Sequence, residues 1–431
     1  MTEDVGRLSA WALTNVGRVR DHNEDAHLLD PELQLFAVAD GMGGHAAGEV
    51  ASKLALETFR RVVGEGQSRL ERLRVDPESR EAKREVLKLL EEAAHAACAA
   101  VFEAGRDDET KRGMGTTLCA LLAVNRHAFI AHVGDSRIYL IRGAKTHQLT
   151  QDHTLQNELL KRGRLSAEEI GRVKQKNALT RAVGVYASVD VDTLDLDVLP
   201  GDRILLCSDG LYGYLKKGEL SSILAGPAAD APQRLIALAN QRGGHDNITA
   251  LVLSAGEADT SNAQDELAKL KLQTLQGVPL FRFLNYQELV KAASLTDLRH
   301  FVADEVIFNE GDQGDELFVV LSGGVRVHKG DQILVEFGHG EHFGEMALID
   351  REPRSATVSA VDDTRLLVMK RPDFFHIIKH ERDMAVKLLW QFLGVLTERL
   401  RATSRELGEA KGQLALEELL ALDDSDLEES L

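Results

Sequence analysis

At 431 residues the chain is too long for one ordinary hydrophobic core, so two domains are expected. A hydrophobic fraction of 44% suits a folded, water-soluble protein. No apolar run reaches the length of a membrane span, and the start, MTEDVGRLSA, lacks a basic-then-apolar secretion signal, so a cytoplasmic setting with no membrane partner is expected. The formal net charge of −18, with an acidic C-terminal tail, repels a phosphate backbone and speaks against nucleic acid as a partner. Cys98, Cys119 and Cys207 sit in apolar text without CxxC pairing, as expected for buried free thiols in a reducing compartment.

The first half of the chain alternates short β-like runs with helical text. LQLFAVAD, FIAHVGD, DRILLCSD and NITALVLS are apolar, branched and bounded by Gly or Asp, which predicts strands. Residues 47–62 and 78–104 carry apolar side chains three and four apart, which predicts helices. The polar stretch from Thr150 to Arg172 interrupts the strands and reads as a surface insertion. After Ser254 the rhythm breaks. A leucine-spaced segment (Leu267, Leu270, Leu275) stopping at Gly277 and Pro279 predicts a linker helix. Two short helices are expected from Phe281 to about Arg299. From Phe301 to about Lys370, short strands punctuated by glycine predict a small all-β barrel. A long amphipathic helix is expected from about Arg382 to Leu407, then an acidic tail that is a frayed helix or disordered. The expected division is therefore 1–255, a linker helix at 256–279, 280–407, and a tail at 408–431.

Several apolar runs end in a carboxylate. Val38-Ala39-Asp40-Gly41, Cys207-Ser208-Asp209-Gly210 and Val133-Gly134-Asp135-Ser136 are three, and Asp246-Asn247 opens a fourth strand. Strand ends are rigid, so carboxylates there can be held convergent. A carboxylate cluster repels itself and calls for hard cations such as Mg²⁺ or Mn²⁺. Two such ions can hold a water for in-line attack on a phosphoryl group. Each Asp-Gly taken alone is also an ordinary turn.

The segments GRVRDHNEDA, VADGMGGHAAGEVAS, GMGTTL, AHVGDSRIYLIR, LTQDHT, LTRAVG, LLCSDGL and HDNIT occur in the order and spacing of the bacterial metal-dependent (type 2C) protein phosphatases, which residues 8–254 resemble. The resemblance implies an α+β fold, a sandwich of two antiparallel sheets flanked by helices, and hydrolysis of phosphoserine and phosphothreonine in phosphorylated proteins. It gives Asp40 the role of bridging carboxylate between two metals and makes Asp209 and Asp246 further ligands. The Gly41 carbonyl and, through water, Glu24 serve the other metal, and Asp25 orients water. Arg20 clamps the substrate phosphate, where a planar guanidinium suits two oxygens at once. Asp135, with Asp209, resembles a third metal site, and residues 150–180 resemble a flap. Met42 stands where animal members have a histidine proposed as general acid. That leaves His45, His153 or a solvent molecule for the acid, and either histidine equally reads as a hydrogen-bonding scaffold.

The text FGEMALIDREPRSATVSA, Phe343 to Ala360, reads as a glycine, a short helical turn and a basic residue. Free N–H groups of the turn favour an anion, Arg354 can close on it, and Glu345 can accept from a sugar hydroxyl. A salt bridge between Glu345 and Arg354 fits the spacing as well. Together with EVIFNEGDQGDELFVVLSGGVRVHKG, residues 280–405 resemble a cyclic nucleotide-binding domain, a small β-roll with flanking helices. The resemblance places Arg354 on a cyclic phosphate, Glu345 on the ribose 2′-hydroxyl, and the turn Gly344, Met346 and Ala347 around the phosphate. Ser355 becomes a further phosphate contact and favours cAMP over cGMP. Trp390 either packs in the core or caps the base. No helix-turn-helix follows, which excludes a transcription factor. The expected protein is a phosphatase with a nucleotide-sensing module, partnered by phosphoproteins and a cognate serine/threonine kinase. The rival reading is a nucleotide-binding scaffold whose phosphatase part is inert or unregulated.

Overall fold

The structure, a computed structural model, describes residues 7–43, 47–161, 169, 177–216, 218–256 and 263–428, leaving aside the side chains of residues 406, 410 and 413–428. It divides into two compact units, one running through Lys269 and including Tyr286–Ser294, the other made of Leu270–Asn285 and the chain from Leu295 onward.

The first unit holds two antiparallel sheets. One runs from edge to edge as Leu8–Asn15, Ile248–Ala255, Arg203–Cys207, Arg137–Arg142 and Lys145–Gln148. The other runs as Asp25–Asp30, Leu35–Met42, Leu118–Val124, His127–Val133 and Asp192–Asp197, with Gly115–Thr116 pairing on the end of Leu35–Met42. Strand side chains alternate between faces, and here both faces are buried. Leu35, Ala37, Ala39, Leu118, Ala120 and Leu122 pack with helices Ala47–Glu65 and Arg80–Asp107. Leu205, Cys207, Ala250 and Val252 pack with helix Ala231–Gln241. The alternate residues Phe36, Val38, Leu206 and Leu251 are also fully buried, as they must be where sheet lies on sheet. The expected α+β sandwich is thus present, and the three cysteines are buried and free. Of the expected surface insertion, 162–168 and 170–172 lie outside the described residues; what precedes them is a short helix, Leu155–Lys161.

Between Phe281 and Arg299 the structure has one α-helix, Tyr286–Ser294, with a 3-10 turn at Pro279–Phe281 before it. The next strand begins already at Thr296, earlier than expected. Tyr286 explains why its helix belongs to the first unit. Its ring stacks on His147 at 3.7 Å, and its hydroxyl accepts from Arg142 at 3.1 Å.

The second unit is a β-roll of two four-stranded antiparallel sheets. One is Thr296–Phe301, Thr364–Lys370, Glu316–Ser322 and His342–Phe343; the other is Val306–Phe308, Thr357–Ala360, Val325–Lys329 and Gln332–Phe337. Phe318, Val320, Val325, Phe343, Val358, Leu366 and Val368 form its core. Helices Arg371–His380 and Arg382–Glu428 follow. The second buries Met384, Leu388, Phe392 and Val395, one stripe of the helix. Trp390 does not pack in the core: it is 69% exposed, because it falls on the opposite side from that stripe, with Val386 and Leu393. The acidic tail, read as frayed helix or disordered, is helical through Glu428, as suits its density of Leu, Ala and Glu.

Candidate active site and nucleotide pocket

The carboxylates of the first unit meet where strands from both sheets end. Asp40 and Asp25 are directly opposed across the antiparallel pair Asp25–Asp30 and Leu35–Met42. Asp209 begins the turn of helix following Arg203–Cys207, and Asp246 precedes Ile248–Ala255. Two glycines let these ends approach. A Cβ on Gly210 would lie 2.0 Å from the Asn247 carbonyl oxygen, and one on Gly41 would lie 2.1 Å from that of Gly48. Asp40 is held from behind. Its N–H donates to Thr117 Oγ1 at 2.9 Å, and its carbonyl accepts from Thr116 Oγ1 at 2.9 Å. The Thr117 hydroxyl also meets Ser136 Oγ at 2.7 Å, tying Asp40 to the Asp135 turn.

Burial and mutual repulsion push these acids upward. Asp40 is raised well above the usual carboxylate range, first by burial and then by Asp25, Asp209 and Asp135. Asp135 is raised to about 7 by burial, Asp209 and Asp152. Asp209 is raised by burial and Asp246. Asp25, 5% exposed, is raised to about 7 by burial, although Thr249 and Ser208 donate to its Oδ2 at 2.6 and 2.7 Å. Its Oδ1 is buried with no hydrogen-bond partner among the described residues. An all-oxygen donor set under such repulsion fits hard divalent cations. Among the described residues, however, no three His, Cys, Asp or Glu groups stand at the spacing of a finished metal-holding cluster. Arg20 is close at hand, its Nη2 donating to Asp246 Oδ2 at 2.8 Å.

His153 has a structural task. Its Nδ1 accepts from Gly134 N–H at 3.1 Å, and its Nε2 lies 3.1 Å from Asp192 Oδ2. With both ring nitrogens engaged, it braces the Asp135 turn. His45 lies outside the described residues.

In the second unit Gly344, at φ +76°, leads into the 3-10 turn Glu345–Leu348. Arg354 is buried beneath it. Its guanidinium lies 4.2 Å from the Phe308 ring centre and donates to the carbonyl oxygens of Gly344 at 3.3 Å and Glu316 at 3.1 Å. Gly314 and Gly344 make room, since a Cβ at either would fall within 2.8 Å of the guanidinium. Burial lowers the Arg354 pKa, against the opposing charges of Glu316, Asp315, Glu345 and Asp312. Glu345 is 1% exposed and does not bond Arg354; its Oε1 accepts from Arg399 Nη1 instead. Ala347 N–H points to Gly344 O at 3.3 Å. Met346 and Ser355 are exposed at the rim.

A family model described as protein phosphatase 2C matches residues 17–267, and one described as cyclic nucleotide-binding domain matches residues 298–381. The chain belongs to the protein phosphatase 2C family. It is a protein serine/threonine phosphatase that also carries a cyclic nucleotide-binding domain. Over 252 residues the phosphatase is 38% identical to protein phosphatase PhpP of Streptococcus pneumoniae, covering 57% of this chain and 97% of that one. It is 36% identical over 245 residues to the serine/threonine phosphatase stp of Listeria monocytogenes, covering 56% of this chain and 93% of the relative. Among solved structures it resembles the Mycobacterium tuberculosis serine/threonine phosphatase PstP/Ppp, at 33% identity and a TM-score of 0.51, over 58% of this chain and 99% of that chain.

Two residues of the phosphatase carry more of the site than their letters announced. Asn247 staples the Arg20–Glu24 loop to the strand ends. Its Nδ2 donates to the carbonyls of His22 at 2.8 Å and Val16 at 3.0 Å, and its Oδ1 accepts from Glu24 N–H at 2.9 Å. The signal was present in HDNIT, beside Asp246. Arg399 gave no signal, because it lies more than fifty positions from Glu345 in an amphipathic helix.

Proposed function

We propose that the phosphatase is Mn²⁺- or Mg²⁺-dependent, that Asp40, Asp209, Asp246, Asp135, the Gly41 carbonyl and Glu24 hold the ions, and that a cyclic nucleotide at residues 344–355 sets its output. The observation that carries the first part is the meeting of raised carboxylates at the ends of both sheets. When bound, the ions supply a polarised water for in-line attack and neutralise charge on the phosphoryl oxygens. Arg20, with its guanidinium beside Asp246, grips two phosphate oxygens of the phosphoserine or phosphothreonine. Thr116, Thr117 and Asn247 keep the donors from drifting apart. The test is phosphopeptide hydrolysis by Asp40→Asn. We expect a fall of about 10³ or more in Mn²⁺-dependent kcat/KM, or ~4 kcal/mol, with an unchanged circular dichroism spectrum. Wild-type turnover from a folded variant would displace the site.

For the second part, the support is the buried, carbonyl-held Arg354 beneath the Glu345 turn. cAMP is favoured over cGMP on Ser355 alone. The helix Ala263–Gly277 lies in the chain between the phosphatase text and the nucleotide text, which we assign to 1–255 and 280–407. Titration of cAMP and cGMP into wild type and Arg354→Ala should change phosphopeptide turnover by roughly 5- to 150-fold in the wild type only. Binding with no change in rate leaves a targeting module beside an unregulated enzyme. A cytoplasmic setting and a kinase acting on the same phosphoproteins complete this reading. No described helix is long and apolar enough to cross a membrane.

A further inference from the structure

The turn that carries Asp135 joins two strands, one from each sheet of the first unit. His127–Val133 runs up to it and Arg137–Arg142 runs away from it. The far end of each strand bears an arginine, Arg126 before the first and Arg142 closing the second. Each arginine holds a side chain from the text that follows the sandwich. Arg126 meets Asp265 of helix Ala263–Gly277 in a two-pronged pair, with Nη2 donating to Oδ2 at 2.9 Å and Nη1 lying 2.9 Å from Oδ1. Arg142 donates to both oxygens of Asp202, at 2.9 and 2.6 Å, and to the Asp197 carbonyl at 2.7 Å. Its Nη1 donates to the Tyr286 hydroxyl, while the Tyr286 ring stacks on His147. Helix Tyr286–Ser294 also lies against Asp192–Asp197, the strand that pairs with His127–Val133 from His127 opposite Asp197 to His132 opposite Asp192.

The two grips differ in strength. The Asp265 side chain is 3% exposed, and parting a buried ion pair is costly, so that grip is a fixed anchor. Tyr286 is held by one hydrogen bond and one ring stack, which makes it the releasable member. Both gripped stretches lead directly into the second unit, which takes up Leu270–Asn285 and the chain from Leu295 onward. Paired strands are rigid elements, so a shift at their far ends reaches the turn between them, where a loop would absorb it.

We propose that Tyr286 is a latch seated on Arg142 and His147 of the phosphatase, and that the latch is where nucleotide binding acts on the enzyme: engaged, it fixes the far end of Arg137–Arg142 and with it the Asp135 turn; released, it lets that turn shift. The proposal rests on the reading that a cyclic nucleotide sets phosphatase output, and it names the residues through which that output is set. Arg142, His147 and Asp202 form the seat, and the Arg126–Asp265 pair is the pivot beside it.

The test uses the full-length chain, as wild type, Tyr286→Phe and Tyr286→Ala, with cAMP and cGMP as probes. Calorimetric titration reads binding, phosphopeptide hydrolysis reads the response, and hydrogen exchange follows strands His127–Val133 and Arg137–Arg142. In the wild type, the nucleotide that binds should change turnover by roughly 5- to 150-fold and alter exchange in both strands. In Tyr286→Ala, that nucleotide should bind within about threefold of wild type, yet turnover should change by about twofold or less and strand exchange should no longer follow the ligand. Tyr286→Phe keeps the stack but loses the acceptor, and its response should fall between. A full response in Tyr286→Ala would make the contact ordinary packing and overturn the proposal. Loss of nucleotide binding in a folded Tyr286→Ala overturns it too, since Tyr286 would then serve the pocket. Binding without any rate change in the wild type removes the regulatory reading itself, and the latch with it; no binding of either nucleotide to the wild type does the same to the ligand assignment. If Tyr286→Ala does not fold, Tyr286→Phe decides: a response equal to that of the wild type overturns the proposal.

Discussion

Arg20 and Thr117 show how differently two residues of one site can matter. Arg20 is exposed, and among the described residues its side-chain bond goes to Asp246, so it contributes little to the fold and, on the proposed function, much to the binding of a phosphate. Arg20→Ala should raise the Michaelis constant for a phosphopeptide and lower kcat/KM about 10- to 100-fold, the worth of a charge-assisted pair; Arg20→Lys should recover only part. Steady-state kinetics at saturating Mn²⁺ would check this, and unchanged kinetics would make Arg20 plain surface. Thr117 is the opposite case, fully buried between Asp40 N–H and Ser136. Thr117→Val keeps the shape but strands the Asp40 donor. We expect a loss of about 1–3 kcal/mol in urea unfolding; a shift within error would show that the hydroxyl is dispensable.

In helix Arg382–Glu428 the described side chains form two apolar stripes, of which Met384, Leu388, Phe392 and Val395 are buried while Val386, Trp390 and Leu393 are exposed. Phe392, 4% exposed, lies 6.4 Å from the Phe374 ring and belongs to the packed stripe. Trp390, two positions earlier, points away. Phe392→Ala should therefore destabilise the second unit by about 3–5 kcal/mol, whereas Trp390→Ala should cost about 0.5 kcal/mol or less. Thermal denaturation of the two variants separates these readings: a large loss from Trp390→Ala would return that ring to the core. The strand elements obey simpler logic. Four segments of the first unit are apolar on both faces because one face meets helices and the other meets a sheet, so their text reads as continuous hydrophobic runs.

Two compact units in one chain do not unfold as a single two-state system. Differential scanning calorimetry should resolve two transitions. Mn²⁺ should raise chiefly the one belonging to the carboxylate unit, and cAMP chiefly the one belonging to the β-roll. A ligand at one hundred times its dissociation constant stabilises its own unit by ~2.7 kcal/mol. Equal displacement of both transitions by one ligand would contradict separate sites.

The sequence by itself determined the apolar strands that run up to Asp40 and Asp209 and the glycine-led turn that carries Glu345, because each stands beside the glycine or strand end that positions it. Local text of that kind carries its own geometry: an aspartate before glycine at the end of an apolar run must fall at a strand end. Only the tertiary structure decided which partner each charged group takes. Glu345 is nine residues from Arg354, yet pairs with Arg399, since the turn after Gly344 faces the returning helix while Arg354 is drawn under Phe308. The same holds for Tyr286, whose helix packs on Arg142 and His147, and for Trp390, whose burial depends on which of two apolar stripes the β-roll accepts. Periodicity identifies an apolar face, but only packing chooses what covers it.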